Sequence, residues 1–520
     1  MQAWPALQGR IKLVQLRSSA GSILCSFRIV LVVVLVIGLF SRVFDYDYDD
    51  EDDDDSRTAP AFARLGLDGA LSRSQTRPMK RRQFLRSIAF TGAAGLILPR
   101  TKLFGADAPS NKLNVALIGT WGRGETHFGG LASENVVALC DVNEKHLAFG
   151  AQKFPGAKQY VDWRKLLDQK DIEAVICCTA DHTHAFVSNW SMNRGKHIYC
   201  EKPLGNCVEE VRVVRANYLK NKDKLATQIG TQRHEYENFN RVREMVRDGA
   251  IGELQDVSAW GDRKLPKPGY LPAQGEPPAD FHWDLWLGPS PAHPWNPEYF
   301  AGGPGMNCLS WNMYWDFGSG QVGDMGSHTM DLAWNALDAE LPTTAEGKGD
   351  PFNPEVTPVK LEMHWDIPAN DWRQAIRVSW YQGGALPELP VKYLDLKKID
   401  HGALFEGSKG CLAADFQSRG LFPRGNQADL TYYKPRPKSD LIPPLGNFQK
   451  QWINACKGSL KTSCDFDYGG KMIEMMLLGM VAYRVGRKIK YDGAAGRVTD
   501  CPEANELLSR KYRDGWTLNG

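Results

Sequence analysis

Three residues in this chain have types and spacing suited to moving a proton off a hydroxyl group. Asp324 and His328 lie four apart, so on a helix they share a face and can enter one cleft. Histidine titrates near neutrality and can take a hydroxyl proton as a hydride leaves the same carbon. Lys202 precedes a proline in Glu201-Lys202-Pro203, which keeps its backbone extended. A lysine there can hydrogen-bond a substrate hydroxyl. The bland alternatives are a solvated lysine, a helix-capping aspartate and a core histidine.

A hydride needs an acceptor, and the stretch from Asn114 to Asp141 is built to hold one. Val115 to Ile118 is a short apolar run of strand type, followed by Gly119, Thr120, Trp121, Gly122, Arg123 and Gly124. A second apolar run, Asn135 to Cys140, ends in Asp141. This is the strand, glycine turn, helix, strand and acid order of a dinucleotide-binding βαβ unit. A turn without side chains lets backbone approach a pyrophosphate, and a helix N-terminus offers it N–H groups. Asp141 can accept from a ribose diol. No arginine follows it to hold a 2′-phosphate, which predicts NAD over NADP. The turn departs from G-x-G-x-x-G. Gly119 and Gly124 fit its outer positions, Trp121 stands at the middle one, and Gly122 comes one residue late.

Residues 112–234 read as alternating strands and helices of a Rossmann domain, and residues 235–520 as a second α/β domain. Asp171 to Thr179 reads as a buried parallel strand, Gly195 to Cys200 as the next and Leu225 to Gly230 as another. Polar clusters stand at their carboxyl ends, where such sheets bind ligands: Thr179 to His184, Glu201 to Pro203, and Gln232 with Arg233. His182 and His184 near Asp181 have metal-like spacing. No third or fourth ligand is apparent, and capping of the following helix by Asp181 or Thr183 is simpler, so no metal is expected.

Beyond 235, Leu265 to Gly320 is a long stretch rich in Pro, Gly and Trp, and loops this long are uncommon unless functional. Its region carries Trp283, Trp286, Trp295, Trp311 and Trp315, which could stack on sugar C–H faces, though core packing suits most of them better. A helix is expected from Gln321 to Leu337. Strands are expected at Val359 to His364 and Gln374 to Trp380, and closing helices at Asn447 to Cys456 and Gly470 to Val485.

A length of 520 residues implies two domains. The balance of 63 basic against 61 acidic residues gives no support to nucleic-acid binding. The 11 cysteines show no metal spacing. Adjacent Cys177 and Cys178 face opposite ways in a strand and read as small buried hydrophobes.

Together, Gly119–Gly124, Thr179–Ala185, Glu201–Pro203, Gly323–His328 and Phe405–Gly410 resemble the glucose–fructose oxidoreductase/inositol dehydrogenase family (Gfo/Idh/MocA), in its exported bacterial branch. The resemblance implies a Rossmann domain followed by an α/β domain with a large open mixed β-sheet. It also implies a cis Lys202–Pro203 bond and a loop at Thr179, Asp181 and His184 near the nicotinamide. Cofactor contacts are expected from Gly119 to Gly124, Asp141, Thr179, Asp181, His184, Glu201 and Lys202, and substrate contacts from Gln232 and Arg233. The expected activity is NAD-dependent oxidation of a sugar or polyol hydroxyl. His328 is expected as base, Lys202 as its polarising partner and Asp324 as a substrate-positioning group. The alternatives are an NAD-dependent glycosidase working by transient oxidation, and a noncatalytic sugar-binding protein. A homo-oligomer, dimer or tetramer, is expected.

The first 108 residues read as something other than the fold. Ile29 to Phe40 is apolar but short for a membrane span, and an acidic run, Asp45 to Asp55, follows. One reading of residues 1–78 is an anchor through residues 23–40; the favoured one is an upstream extension, with translation starting at Met79. Lys80-Arg81-Arg82-Gln83-Phe84-Leu85-Arg86 precedes an apolar run, Ile88 to Leu98, and Ala106-Asp107-Ala108 offers a cleavage site. Residues 79–108 thus resemble a twin-arginine signal peptide, which implies the twin-arginine export machinery and the periplasm. That route carries folded proteins, so a tightly held cofactor is expected.

Overall fold

A computed structural model describes residues 111–391, 394–424, 429 and 431–520. The expected signal peptide, with Arg81 and Arg82, lies outside the described residues.

The apolar runs predicted as strands form a six-stranded sheet in the order β3-β2-β1-β4-β5-β6, parallel throughout. The strands are β1 (Asn114–Ile118), β2 (Asn135–Cys140), β3 (Lys158–Tyr160), β4 (Ala174–Cys177), β5 (His197–Cys200) and β6 (Thr227–Ile229). The order reverses between β1 and β4, so the crevice for a ligand opens at their carboxyl ends. Among the long helices on this sheet are α1 (Glu144–Lys153), α2 (Asp181–Asn193) and α3 (Val208–Asn221). Both sheet faces are buried, which is why β4 reads as an unbroken apolar run. Cys177 and Cys178 do point to opposite sides, into two separate clusters of the core.

Among the described residues the second sheet has nine strands in the order β13-β12-β11-β7-β10-β9-β8-β14-β15, with β8 at Thr344–Gly349, β12 at Gly410–Ala414, β13 at Arg419–Pro423, β14 at Ile489–Asp492 and β15 at Arg497–Val498. Its centre is β7 (Leu254–Gly261), flanked by β10 (Ile376–Gln382) in parallel and β11 (His401–Gly407) in antiparallel. The strict alternation of burial along β9 (Leu361–Ile367) shows one covered face and one open face. Helices α4 (Glu237–Arg247), α5 (Ser327–Leu337) and α7 (Tyr468–Val485) lie among the elements on the covered face. A further helix, α6 (Phe448–Cys456), crosses back: Phe448, Trp452 and Ile453 pack with Val115, Leu117 and Leu139 of the first sheet. Two domains therefore share one continuous body. No helix among the described residues is long and apolar enough to cross a membrane.

Two local expectations are corrected. The glycine turn does not open into a regular helix. Gly122–His127 is a 3-10 segment and Phe128–Leu131 a single α turn, because four glycines within ten residues cannot sustain a longer one. And α2 is capped by neither predicted side chain. It begins at Asp181 itself, after Ala180, while the Thr183 hydroxyl donates to Ala180 O and faces Thr179 Oγ1 at 2.6 Å.

Candidate active site

The first sheet presents its polar clusters to one cleft, and the second domain supplies the opposite wall. On the near side, Gly119 adopts φ +85°, and a Cβ there would sit 2.4 Å from the Cys178 carbonyl oxygen. A Cβ at Gly124 would meet the Gly119 carbonyl oxygen at 2.0 Å. Only glycine permits this turn, and the bare backbone it leaves is what a pyrophosphate cradle needs. The Thr120 amide donates to Asp141 Oδ2 at 2.9 Å and the Asn143 amide to Oδ1 at 2.9 Å. The Thr120 hydroxyl also lies 3.3 Å from Oδ2, so Oδ1 is the oxygen that keeps a lone pair for a ribose hydroxyl. Trp121 is turned away from this turn and stacks on His146, 4.4 Å between ring centres. The indole at the middle position therefore leaves the backbone uncovered by folding against α1. These features fit a dinucleotide.

Beyond the turn, Arg123 and His127 converge on Glu201. The guanidinium lies 2.9 Å from Glu201 Oε1 and the imidazole 3.0 Å from the same oxygen. Burial pushes the Glu201 carboxyl up, but the Arg123 charge and the His127 hydrogen bond outweigh it and hold it at about 2. Arg123 and Glu201, both predicted cofactor contacts, thus form an ion pair in which Glu201 is buried and Arg123 half-buried. Arg123 Nη2 and Glu201 Oε2 are buried with no hydrogen-bond partner among the described residues. His127 was not predicted; a histidine one turn past Arg123 was its only signal.

The far wall brings Asp324 to Lys202 across 122 positions of sequence. Lys202 Nζ is hydrogen-bonded to Asp324 Oδ1, and Arg263 Nη1 donates to Asp324 Oδ2 at 2.6 Å. The Lys202–Pro203 bond is cis, as the resemblance implied. Burial lowers the Lys202 ammonium pKa, but Asp324 more than offsets it, so the lysine stays charged. Arg263 escaped prediction. Its signal was the charged cluster Asp262-Arg263-Lys264 just past the carboxyl end of β7.

Asp324 lies in a π-helical turn, Val322–Gly326, that runs directly into α5, with His328 in the first turn. Such turns recur at functional sites. His328 is buried, and its Nδ1 has no hydrogen-bond partner among the described residues. Burial and the charges of Arg233, Lys202, Arg123 and Arg263 hold its pKa well below the ordinary value. It is a neutral imidazole free to accept a proton, although its cationic neighbours make it a weaker base than a histidine titrating near the working pH. Gln232 and Arg233 form a 3-10 turn after β6; the guanidinium lies 4.2 Å from the Phe416 ring centre, and Gln232 Oε1 is buried without a partner among the described residues.

The Thr179 to His184 segment closes the near wall. His184 faces two carbonyls, Pro203 O at 2.7 Å and Thr179 O at 2.9 Å. Its ring nitrogens are thus committed as donors, although Cys177 and Cys200 lie close enough to form a metal-like group with it. His182 is structural, spanning Trp286 O at 2.8 Å and Phe317 O at 3.3 Å. Asp181 is buried, which raises its carboxyl to about 7 despite nearby His184 and Lys202. The tryptophans mostly pack: Trp286 and Trp311 are buried in an aromatic cluster with Tyr299, Tyr314 and Phe317, which Trp283 joins from its edge.

Residues 113–228 match the NAD-binding Rossmann fold of an oxidoreductase family, and residues 268–518 match the C-terminal alpha/beta domain of the same family. The chain belongs to the Gfo/Idh/MocA oxidoreductase family. Among curated Gfo/Idh/MocA relatives, it is 30% identical over 146 residues to an inositol 2-dehydrogenase of Salmonella paratyphi B, 27% of this chain and 43% of that protein. It is 29% identical over 154 residues to a levoglucosan dehydrogenase of Pseudarthrobacter phenanthrenivorans, 27% of this chain and 39% of that protein. The match thus spans less than half of those relatives. The fold resembles the WlbA dehydrogenase of Chromobactrium violaceum, solved with NADH and UDP-GlcNAcA, at TM-score 0.53 and 16% identity, covering 73% of this chain and 96% of that one. The WlbA dehydrogenase of Bordetella pertussis gives 0.51 and 15%, with 73% and 99% covered.

Proposed function

We propose that this protein oxidises a hydroxyl group of a sugar, polyol or sugar derivative, with NAD as hydride acceptor. The observation that carries this reading is His328, a buried neutral imidazole with an unpartnered Nδ1, beside a charged Lys202 held by Asp324. Gly119 to Gly124 and Asp141 hold the dinucleotide, whose nicotinamide takes the hydride when bound. Lys202 orients the substrate hydroxyl and favours loss of its proton, and His328 accepts that proton. With both of its oxygens engaged, Asp324 serves to fix Lys202 rather than to touch the substrate. Gln232 and Arg233, in the turn after β6, are the sugar contacts in this reading. Asp141, with Val142 next to it and no arginine, repels a 2′-phosphate and supports NAD over NADP. The carbohydrate class is supported by the inositol and levoglucosan dehydrogenase relatives. Tight retention of the nucleotide, a homo-oligomer and twin-arginine export to the periplasm are parts of the same proposal.

The test is single-turnover reduction of bound NAD, after a panel of sugars and polyols has been screened. His328→Ala should lower the rate by about 10²–10⁴-fold with nucleotide still bound. Lys202→Ala should also lower it, and the double variant should lose less than the product of the two, since both act on one proton. A His328→Ala protein reducing its NAD at the wild-type rate removes His328 from the mechanism.

A further inference from the structure

The long insert after β7 does not hang in solvent. Its segment Asp280–His282 runs antiparallel to the loop between β2 and α1, directly after Asp141. The Glu144 amide donates to Asp280 O at 2.9 Å, and the His282 amide donates to Val142 O at 2.8 Å. Asn143 and Phe281 face each other as a bridge pair. Side chains repeat the link: His282 Nε2 lies 2.8 Å from Glu144 Oε1, and Lys145 Nζ lies 2.8 Å from Asp280 Oδ2. A second part of the insert reaches the glycine turn, where a Cβ on Gly122 would come within 2.9 Å of the Gly305 amide nitrogen. Between the two, the insert's aromatic cluster packs on Val142 and Ala180 of the first domain. Arg513 anchors it from behind, with Nη1 on Asp284 at 2.5 Å and Nε donating to Gly288 O at 3.1 Å.

These contacts touch the first domain beside Asp141 and beside the phosphate turn, the two groups that would hold the ribose and pyrophosphate of a dinucleotide. We propose that the insert is the outer wall of the dinucleotide site, and that the Asp280–His282 strap must detach before the nucleotide can leave. The inference rests on the NAD reading above and adds to it which residues retain the cofactor. A main-chain clamp with two exposed side-chain links is weaker than a buried core, so it can open without unfolding the domain.

The experiment measures release. Protein loaded with NADH is chased with excess NAD, and loss of bound-NADH fluorescence gives the rate. In the Asn143→Cys/Phe281→Cys variant, oxidation should staple the strap and slow release at least about tenfold relative to the same protein after reduction, with peptide mapping to verify the bond. As a second variant, Lys145→Ala/His282→Ala cuts both exposed links and should release NADH several-fold faster than wild type. Equal release rates for the stapled and reduced forms, or for the cut variant and wild type, overturn the strap while leaving NAD binding intact. Failure of wild type to bind NADH at all overturns both readings.

Discussion

At the scale of single residues, the site turns on charge held in a low-dielectric cleft. His328 is kept neutral by burial first and then by its cationic neighbours, of which Arg233 contributes most. A base whose pKa is depressed stays deprotonated at lower pH, so turnover should hold its plateau below pH 6.5. Removing a positive neighbour raises that pKa. Arg233→Gln should therefore move the acid limb of the kcat–pH profile upward, by on the order of one unit. A pH series of single-turnover rates checks this, and an unmoved limb would show that another group governs it. Lys202 and Asp324 illustrate the complementary case, a buried pair whose partners each keep the other charged.

At the scale of elements, the carboxyl end of β5 is tied to the glycine turn through Glu201. Its carboxyl is depressed to about 2 in the fold from an ordinary 4.5, because Arg123 and His127 outweigh burial. A depressed carboxyl stabilises the fold fully above its unfolded pKa and loses that contribution as pH falls through the folded one. Wild-type stability should therefore drop between about pH 4.5 and 2. Glu201→Gln should be less stable at pH 7 by about 1–3 kcal/mol, since Arg123 is partly exposed and solvent screens the charge left behind, and should lose less on acidification. Chemical denaturation at pH 7 and pH 3.5 makes the comparison; parallel losses in both proteins would contradict it. The same contact explains why the segment after the turn need not be a long helix. Arg123 and His127 fix it from its side chains instead.

At the scale of the whole molecule, two sheets share one body because helices cross between them. Helix α6 lies late in the sequence yet covers the first sheet, and Asn189 of α2 donates to Leu518 O near the other end of the chain. A site drawn from both sheets requires this rigidity, since Lys202 and Asp324 must meet within hydrogen-bonding reach. The proposed twin-arginine route carries folded proteins, and a single body of this kind would suit it. The mature protein is expected to begin near Asp107 or Pro109, which N-terminal sequencing of the exported form would show. Arg81→Lys with Arg82→Lys should leave the protein in the cytoplasm, and continued export would refute that route.

What the sequence determined by itself is local and periodic. Apolar runs flanked by glycine and acid specify β1, the turn, β2 and Asp141, because strand formation and a side-chain-free turn depend on neighbours in the chain. Asp324 and His328 were legible as candidates from their spacing of four, although Asp324 lies in a π-helical turn and its partners are Lys202 and Arg263. Family motifs placed Lys202 and the wide second sheet. Only tertiary structure decided the rest. Arg263 could not be assigned from sequence because its meaning is Asp324, far along the chain in another element. Trp121 read as an obstacle until its stacking on His146 showed where the indole goes. The insert read as a long loop because its pairing with Val142 and Glu144 spans well over a hundred residues, and hydrogen bonds between distant backbones leave no periodicity in sequence.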